Sequence, residues 1–189
     1  MKIGEILLKY ETDKNKGTIS PELGHCYGNS YQKIFDRFGK ESEISILEIG
    51  VQKGGSLLAW KEYFKKSHVV GIDISDTRLE KYKKNSVNFI LSSITDESLK
   101  DNPLIKDQMF DIIIDDGSHF LGDVIYVVRN FLKNLKPGGY LIIEDAQNPE
   151  EWISRIIPSI DTSIYNIFGE DLRKINGTYD DYLIIIGYK

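Results

Sequence analysis

Cysteine is almost missing from this chain of 189 residues, and basic residues are in the minority. The single cysteine, Cys26, excludes a disulfide framework and a multi-cysteine zinc site. With 24 basic against 29 acidic residues, the net charge of −5 argues against a broad nucleic-acid-binding surface. No apolar run reaches the roughly 18 residues that a membrane-spanning helix needs. The first residues lack the features of a secretory signal, so we expect a cytoplasmic protein without nucleic-acid or membrane partners.

The length indicates a single domain with a small N-terminal cap. At about 150 residues per domain, the chain leaves nothing over for a second core. Helical spacing of apolar residues recurs in the first forty positions, on either side of a polar, glycine-containing loop. We therefore expect residues 1–40 to form a helical cap with a loop that contacts ligand, and residues 41–189 to form the core.

Short apolar segments alternate with amphipathic segments after the cap and predict an α/β fold. Such strands, separated by helices, are typical of a parallel sheet that is covered on both faces. Two final strands, at 163–168 and 182–188, have no helix-length segment between them and are expected to pair antiparallel. The sequence predicts a doubly wound, seven-stranded, mostly parallel sheet with an antiparallel last strand. In such sheets the ligand lies off the carboxyl ends of the strands.

A glycine-containing loop follows the first predicted strand and favours a ligand site there. Gly50, Gly54 and Gly55 permit a tight turn and close approach of a ligand, and Ser56 begins the next helix. The spacing departs from both the dinucleotide fingerprint and the phosphate-binding loop, which disfavours a dehydrogenase. Asp73 ends the second strand, where a carboxylate commonly holds ribose hydroxyls. The alternative is an ordinary glycine turn beside a solvent-facing aspartate.

In combination these motifs resemble class I S-adenosylmethionine-dependent methyltransferases. The resemblance covers the chain from about Ile44 onward and rests on four segments, which are Glu48–Gly55, Asp73, Phe110–Asp116 and Leu135–Gly139. It implies a Rossmann-like sheet and S-adenosyl-L-methionine as cofactor. The cofactor-binding residues that it implies are Glu48, Gly50, Gly54, Ser56, Asp73, Ser93 and Asp115.

Two further runs, Asp115–His119 and Ile143–Asp145, resemble the macrocin- and mycinamicin-type sugar O-methyltransferases. Upstream, Thr12-Asp13-Lys14 and His25-x-Tyr27-x-x-x-Tyr31 add to this resemblance, although the loop at 15–24 is longer than the family pattern. Those enzymes methylate deoxysugar hydroxyls on natural products with a divalent metal, usually Mg²⁺. The resemblance implies His119 as general base and three metal ligands, which are Asp116, Glu144 and Asp145.

The chemistry of methyl transfer to a sugar is consistent with those roles. A sugar hydroxyl is a very weak acid, so a base or a metal is needed to remove its proton. Mg²⁺ prefers oxygen ligands, and neighbouring strands lie about 5 Å apart, so carboxylates at two strand ends can converge. Successive strand residues point oppositely, however, so not all four carboxylates face one site. The alternative is that they are solvated or cap the following helices.

The cap offers three candidate substrate contacts, and other readings of the chain stay open. His25, Tyr27 and Tyr31 are these contacts, unless they serve only loop structure and core packing.

We expect the acceptor to be a sugar or glycosylated metabolite. Because the cap is short, we also expect a homo-oligomer in which a neighbouring subunit completes the walls of the substrate site. The alternatives are a catechol, phosphoramidate or amine acceptor, or a non-catalytic cofactor-binding subunit. His68 is expected at the surface, and Asp180–Asp181 in a solvated loop.

Overall fold

The cap consists of two helices that precede the sheet, as the apolar spacing predicts. The computed structural model describes residues 1–15, 24–75, 85–176 and 179–189. Within these ranges, α1 spans Ile3–Lys9 and α2 spans Gly28–Phe35. Most of the long upstream loop, at 16–23, lies outside the described residues.

The sheet has seven strands within the described residues, in agreement with the predicted architecture. Its strands are β1 (Ser45–Ile49), β2 (His68–Asp73), β3 (Asn88–Leu91), β4 (Phe110–Asp115), β5 (Leu135–Ile143), β6 (Tyr165–Asp171) and β7 (Tyr182–Tyr188). Their order is β3-β2-β1-β4-β5-β7-β6. The first five strands pair in parallel, and β7 runs antiparallel to both β5 and β6. The prediction of an antiparallel finish is therefore confirmed.

Four helices of the core lie between the strands within the described residues. They are α3 (Gly55–Tyr63), α4 (Leu121–Phe131), α5 (Pro149–Ile156) and the short α6 (Arg173–Asn176). The helix α4 ends at Phe131, where a 3₁₀ turn at Leu132–Asn134 leads directly into β5. At four residues, α6 is too short for a crossover, which is consistent with the antiparallel pairing of β6 and β7.

Alternate residues of the central strands pack into two separate apolar clusters, one on each face of the sheet. On one face the cap helices and α3 cover Ile112 and Ile114 of β4. On the other face α4 and α5 cover Ile113, which points in the opposite direction. Both faces of the central strands are therefore buried, and the carboxyl ends of the strands remain for function.

Gly50 brings the loops that follow β1 and β4 into contact. Its φ of +78° lies in the left-handed region, and a Cβ added there would stand 1.9 Å from the carbonyl oxygen of Asp116. A glycine is thus required on both conformational and steric grounds. The loop after β4 is further fixed by a hydrogen bond of 2.8 Å from the Asp116 amide to the Ile49 carbonyl. These contacts place the carboxylate-bearing loop beside the glycine loop.

Candidate active site

A cleft of about 490 Å³ opens at the carboxyl ends of the parallel strands. Gly50, Asp73 and Ser93 line one part of it, and Asp116, His119 and Asp145 line another. The structure thus brings together six of the residues that the sequence singles out. The cleft lies where a doubly wound sheet binds its ligand.

Asp73 connects the end of β2 to the glycine loop. Its Oδ2 accepts hydrogen bonds from the backbone amides of Val51 at 2.8 Å and Gln52 at 2.9 Å. Its Oδ1 accepts one from the amide of Ser75 at 2.9 Å. Partial burial acts to raise the pKa of the Asp73 carboxyl, but these hydrogen bonds hold it below its usual value. Asp73 therefore stays a carboxylate at the cleft wall at neutral pH.

Four other predicted cofactor contacts are absent from the lining of the cleft, which holds Gly50, Asp73 and Ser93. These four are Glu48, Gly54, Ser56 and Asp115. Glu48 is fully buried and accepts a hydrogen bond of 2.6 Å from the Trp60 indole. Burial raises the pKa of Asp115 to about 7, and its Oδ2 has no hydrogen-bond partner among the described residues. Direct contact of these four with a cofactor stays a prediction.

Lys14 is a buried cation within the acidic strand ends, and sequence reasoning assigned it no role. Its Nζ lies 3.0 Å from both carboxylate oxygens of Glu144, 3.4 Å from Glu48 Oε1, and in hydrogen-bond contact with Asp116. Burial acts to lower the pKa of this ammonium, but the three carboxylates raise it well above its usual value. In the sequence, the surplus of acids at neighbouring strand ends is a signal for such a cation.

Tyr27 and Tyr31 form hydrogen bonds to carboxylates and do not line the cleft. The Tyr27 hydroxyl donates a hydrogen bond to Asp145 Oδ1, and the Tyr31 hydroxyl donates one to Glu144 Oε1. Both rings are almost fully buried, and neither lines the 490 Å³ cleft. Burial and the nearby carboxylates raise the pKa of both tyrosines, so both hydroxyls stay protonated and act as donors. Their predicted contact with substrate stays a prediction.

His119, Asp116 and Asp145 converge at the edge of the cleft. His119 Nε2 lies 3.9 Å from Asp116 Oδ1 and 3.9 Å from Asp145 Oδ2. One ligand atom from each of the three lies within 4.8 Å of the others. His119 and Asp145 both have a φ of 55°, a conformation that costs free energy for residues with a Cβ. Such strain is typical of functional sites.

This group of side chains fits a divalent cation. Asp116 and Asp145 offer hard carboxylate oxygens on the cleft side, as Mg²⁺ prefers. Glu144 is nearly fully buried, and its oxygens contact Lys14 and Tyr31, so its predicted role as a ligand stays a prediction. The carboxylates of Glu48, Asp116, Glu144 and Asp145 outnumber the single ammonium of Lys14. Carboxylates this close together repel one another, and a further positive charge at the cleft side would relieve the repulsion.

The partly buried His25 and the fully buried Asp181 form a pair next to Asp145. His25 Nδ1 is hydrogen-bonded to Asp181 Oδ1 and lies 3.5 Å from Asp145 Oδ1. Burial acts to lower the pKa of His25, but the charges of Asp145 and Asp181 raise it above its usual value. The expectation of a solvated loop is wrong for Asp181, which is 0% exposed because its side chain lies against the cap. His68 is exposed, as expected.

The chain is similar to known proteins in both sequence and fold. The methyltransferase domain family matches residues 40–169. The chain is 33% identical over 133 residues, 65% of its length, to 8-demethyl-8-alpha-L-rhamnosyl tetracenomycin-C 2'-O-methyltransferase of Streptomyces olivaceus, of which it covers 34%. It is 29% identical over 136 residues, 67% of its length, to demethylmacrocin O-methyltransferase of Streptomyces fradiae, of which it also covers 34%.

The fold is similar to that of the MycE methyltransferase from the mycinamycin biosynthetic pathway, solved in complex with Mg and SAH. The TM-score is 0.75 at 22% identity, over 100% of this chain and 55% of that chain. The chain spans about a third of the length of the two curated relatives above. No helix in the part of the chain that the structure describes has the length and apolar character to cross a membrane. Because the family match covers more than half of the 189 residues, the chain belongs to the methyltransferase domain family.

Proposed function

We propose that the chain carries an S-adenosylmethionine-dependent O-methyltransferase activity toward a hydroxyl of a sugar or sugar-bearing natural product, assisted by a divalent cation. The observation that carries the proposal is the junction of two features in one cleft. Gly50 and Asp73 form a wall suited to a nucleoside, and Asp116, His119 and Asp145 form an adjoining acidic rim with an imidazole. The two relatives named as O-methyltransferases support the same reaction.

The residues at the rim suit the removal of a hydroxyl proton. The electrophilic methyl group belongs to the cofactor, so the protein has to position the acceptor and take its proton. His119 has an imidazole, the group that most often serves as a general base, and its side chain is 31% exposed and lines the cleft. The Nε2 atom lies 3.9 Å from the carboxylates of Asp116 and Asp145, so the imidazole and the acidic rim face the same point of the cleft.

The same two carboxylates would hold the divalent cation. When bound, such a cation supplies Lewis-acid polarisation of an acceptor hydroxyl. Asp116 is also in contact with Lys14, and Asp145 with Tyr27, so both are oriented by buried partners before any ligand arrives. This preorganisation limits the reorganisation that the reaction requires.

Replacing Asp73 by asparagine is expected to weaken the binding of S-adenosylhomocysteine about tenfold to a hundredfold. The change removes the charge that the backbone amides of Val51 and Gln52 bind, and hydrogen bonds to charged groups contribute about 1.5–3 kcal/mol. Isothermal titration calorimetry measures the affinity. Asp161→Asn is the matched control, because Asp161 accepts the same kind of turn hydrogen bond, from Ser163 at 2.9 Å, at an exposed position. Equal affinities in the two variants would contradict the role of Asp73.

Removal of divalent metal is expected to lower methyl transfer at least tenfold, since polarisation by a metal contributes several kcal/mol, with each ~1.4 kcal/mol worth a factor of ten. The measurement is transfer of labelled methyl to a panel of deoxysugar glycosides, catechols and amines, with and without EDTA. We expect product only from the glycosides, and recovery when Mg²⁺ is returned. Turnover of a glycoside at an unchanged rate in EDTA would contradict metal assistance, and turnover of an amine alone would contradict the acceptor class.

A further inference from the structure

We infer that His25, held by Asp181, is a positioning residue for the Asp145 carboxylate beside Tyr27. This inference gives the cap and the start of the last strand a part in the reaction site. It rests on the proposed function only for the role of Asp145 at the rim. The contact itself rests on the geometry of the described residues.

Asp145 needs to be held in place. Its backbone has a φ of 55°, and it lies in the loop after β5, outside any helix or strand. The two oxygens of its carboxylate have different surroundings. Oδ1 accepts the hydrogen bond from Tyr27 and lies 3.5 Å from His25 Nδ1, whereas Oδ2 faces His119 at 3.9 Å. The cap therefore engages one oxygen and leaves the other for the cleft.

Two contacts fix the His25 ring, and a third fixes its backbone. It stacks on the Tyr27 ring with centroids 4.9 Å apart and planes 15° apart. Its Nδ1 bonds to Asp181, and its backbone amide donates to the Asp13 carbonyl at 2.7 Å. Asp181 is anchored in turn, because its carbonyl accepts a hydrogen bond of 2.9 Å from the Leu172 amide. A ring held in this way transmits the position of the last strand to Asp145.

Asp181 places a carboxyl group in the interior of the protein. It is 0% exposed, and its Oδ2 has no hydrogen-bond partner among the described residues. A buried carboxylate with one partner costs stability relative to an apolar side chain of similar size. Its contact with His25 is the interaction that offsets this cost, and groups next to a ligand carboxylate are known to set its orientation.

Two variants test the inference, each with a matched control. His25→Phe keeps the ring stacked on Tyr27 but removes the nitrogen, and Asp181→Asn keeps the shape but removes the charge. His68→Phe changes an exposed histidine in the same way, and Asp161→Asn changes an exposed aspartate. The full chain is titrated with Mn²⁺ and, separately, with S-adenosylhomocysteine by calorimetry, and crystal structures record the position of Asp145.

We expect both test variants to bind Mn²⁺ about ten- to hundredfold more weakly than the unmodified chain. Their affinity for S-adenosylhomocysteine is expected to stay the same, and both controls are expected to match the unmodified chain. In crystals of Asp181→Asn, we expect the Asp145 carboxylate to turn away from His119.

Unchanged Mn²⁺ affinity in both test variants would overturn the inference. If the unmodified chain binds no Mn²⁺, the proposed metal assistance fails, and the inference is decided by the crystal structures alone. An Asp145 carboxylate that stays in place in Asp181→Asn would then overturn it. If His25→Phe does not fold, Asp181→Asn carries both measurements.

Discussion

Replacing Lys14 by methionine is expected to lower the free energy of unfolding by about 3–5 kcal/mol, the cost of removing one partner from a buried ion pair. The side chain is 2% exposed, and its ammonium contacts Asp116 and Glu144 and lies 3.4 Å from Glu48. Methionine has a similar length, so the change removes the charge and leaves three carboxylates without it. Urea unfolding followed by circular dichroism measures the difference.

Two further variants distinguish the effect of removing the buried charge from the effect of replacing any lysine by methionine. Lys9→Met removes a lysine that is 51% exposed and pairs with Glu62, so it is expected to change the stability by no more than about 1 kcal/mol. The double variant Lys14→Met, Glu144→Gln is expected to be more stable than Lys14→Met alone, because one unpaired buried charge is also removed. If Lys14→Met lowers the free energy of unfolding by less than ~1 kcal/mol, Lys14 is not the cation that compensates the carboxylates at the strand ends.

His119→Asn is expected to lower kcat for methyl transfer by about 10²–10⁴, the usual contribution of a general base. Asparagine suits the test because it tolerates the left-handed backbone that His119 adopts, with a φ of 55°. The affinity for S-adenosylhomocysteine is expected to change little, since the variant keeps the Gly50 and Asp73 side of the cleft. Steady-state rates on the glycoside found in the acceptor screen, with calorimetry alongside, measure both quantities.

His68→Asn is the matched control for the histidine experiment. His68 lies exposed at the start of β2, at the opposite end of that strand from Asp73. Its replacement is therefore expected to leave kcat unchanged. A His119→Asn enzyme with the kcat of the unmodified chain would show that another group takes the proton.

The sheet and the glycine loop could be predicted because their signals are local. The run Phe110–Asp115 is apolar except for Asp111 and its terminal acid, which suits a central strand that is buried on both faces. Gly50 is recognisable because it directly follows such a strand. The placement of Asp116 and Asp145 at one edge follows from the parallel pairing of β4 with β5.

The partners of the carboxylates could not be predicted, because they come from far along the chain. The contact between Lys14 and Glu144 joins residues 130 positions apart, and the contact between His25 and Asp181 joins residues 156 apart. Asp180 and Asp181 are the same residue type in one loop, yet Asp181 alone is fully buried. Only the packing of the cap against the start of β7 distinguishes them.

The central claim is that a cofactor cleft and a cation site adjoin each other. The most direct test is the NMR signal of [¹³C-methyl]-S-adenosylmethionine bound to the chain, recorded while Mn²⁺ is added, with Mg²⁺ as the diamagnetic control. We predict that substoichiometric Mn²⁺ broadens the bound methyl signal, and that Asp145→Asn, which weakens the rim of Asp116, His119 and Asp145, reduces the broadening. If the cofactor binds to the chain but its methyl signal keeps its width in the presence of Mn²⁺, the account is contradicted.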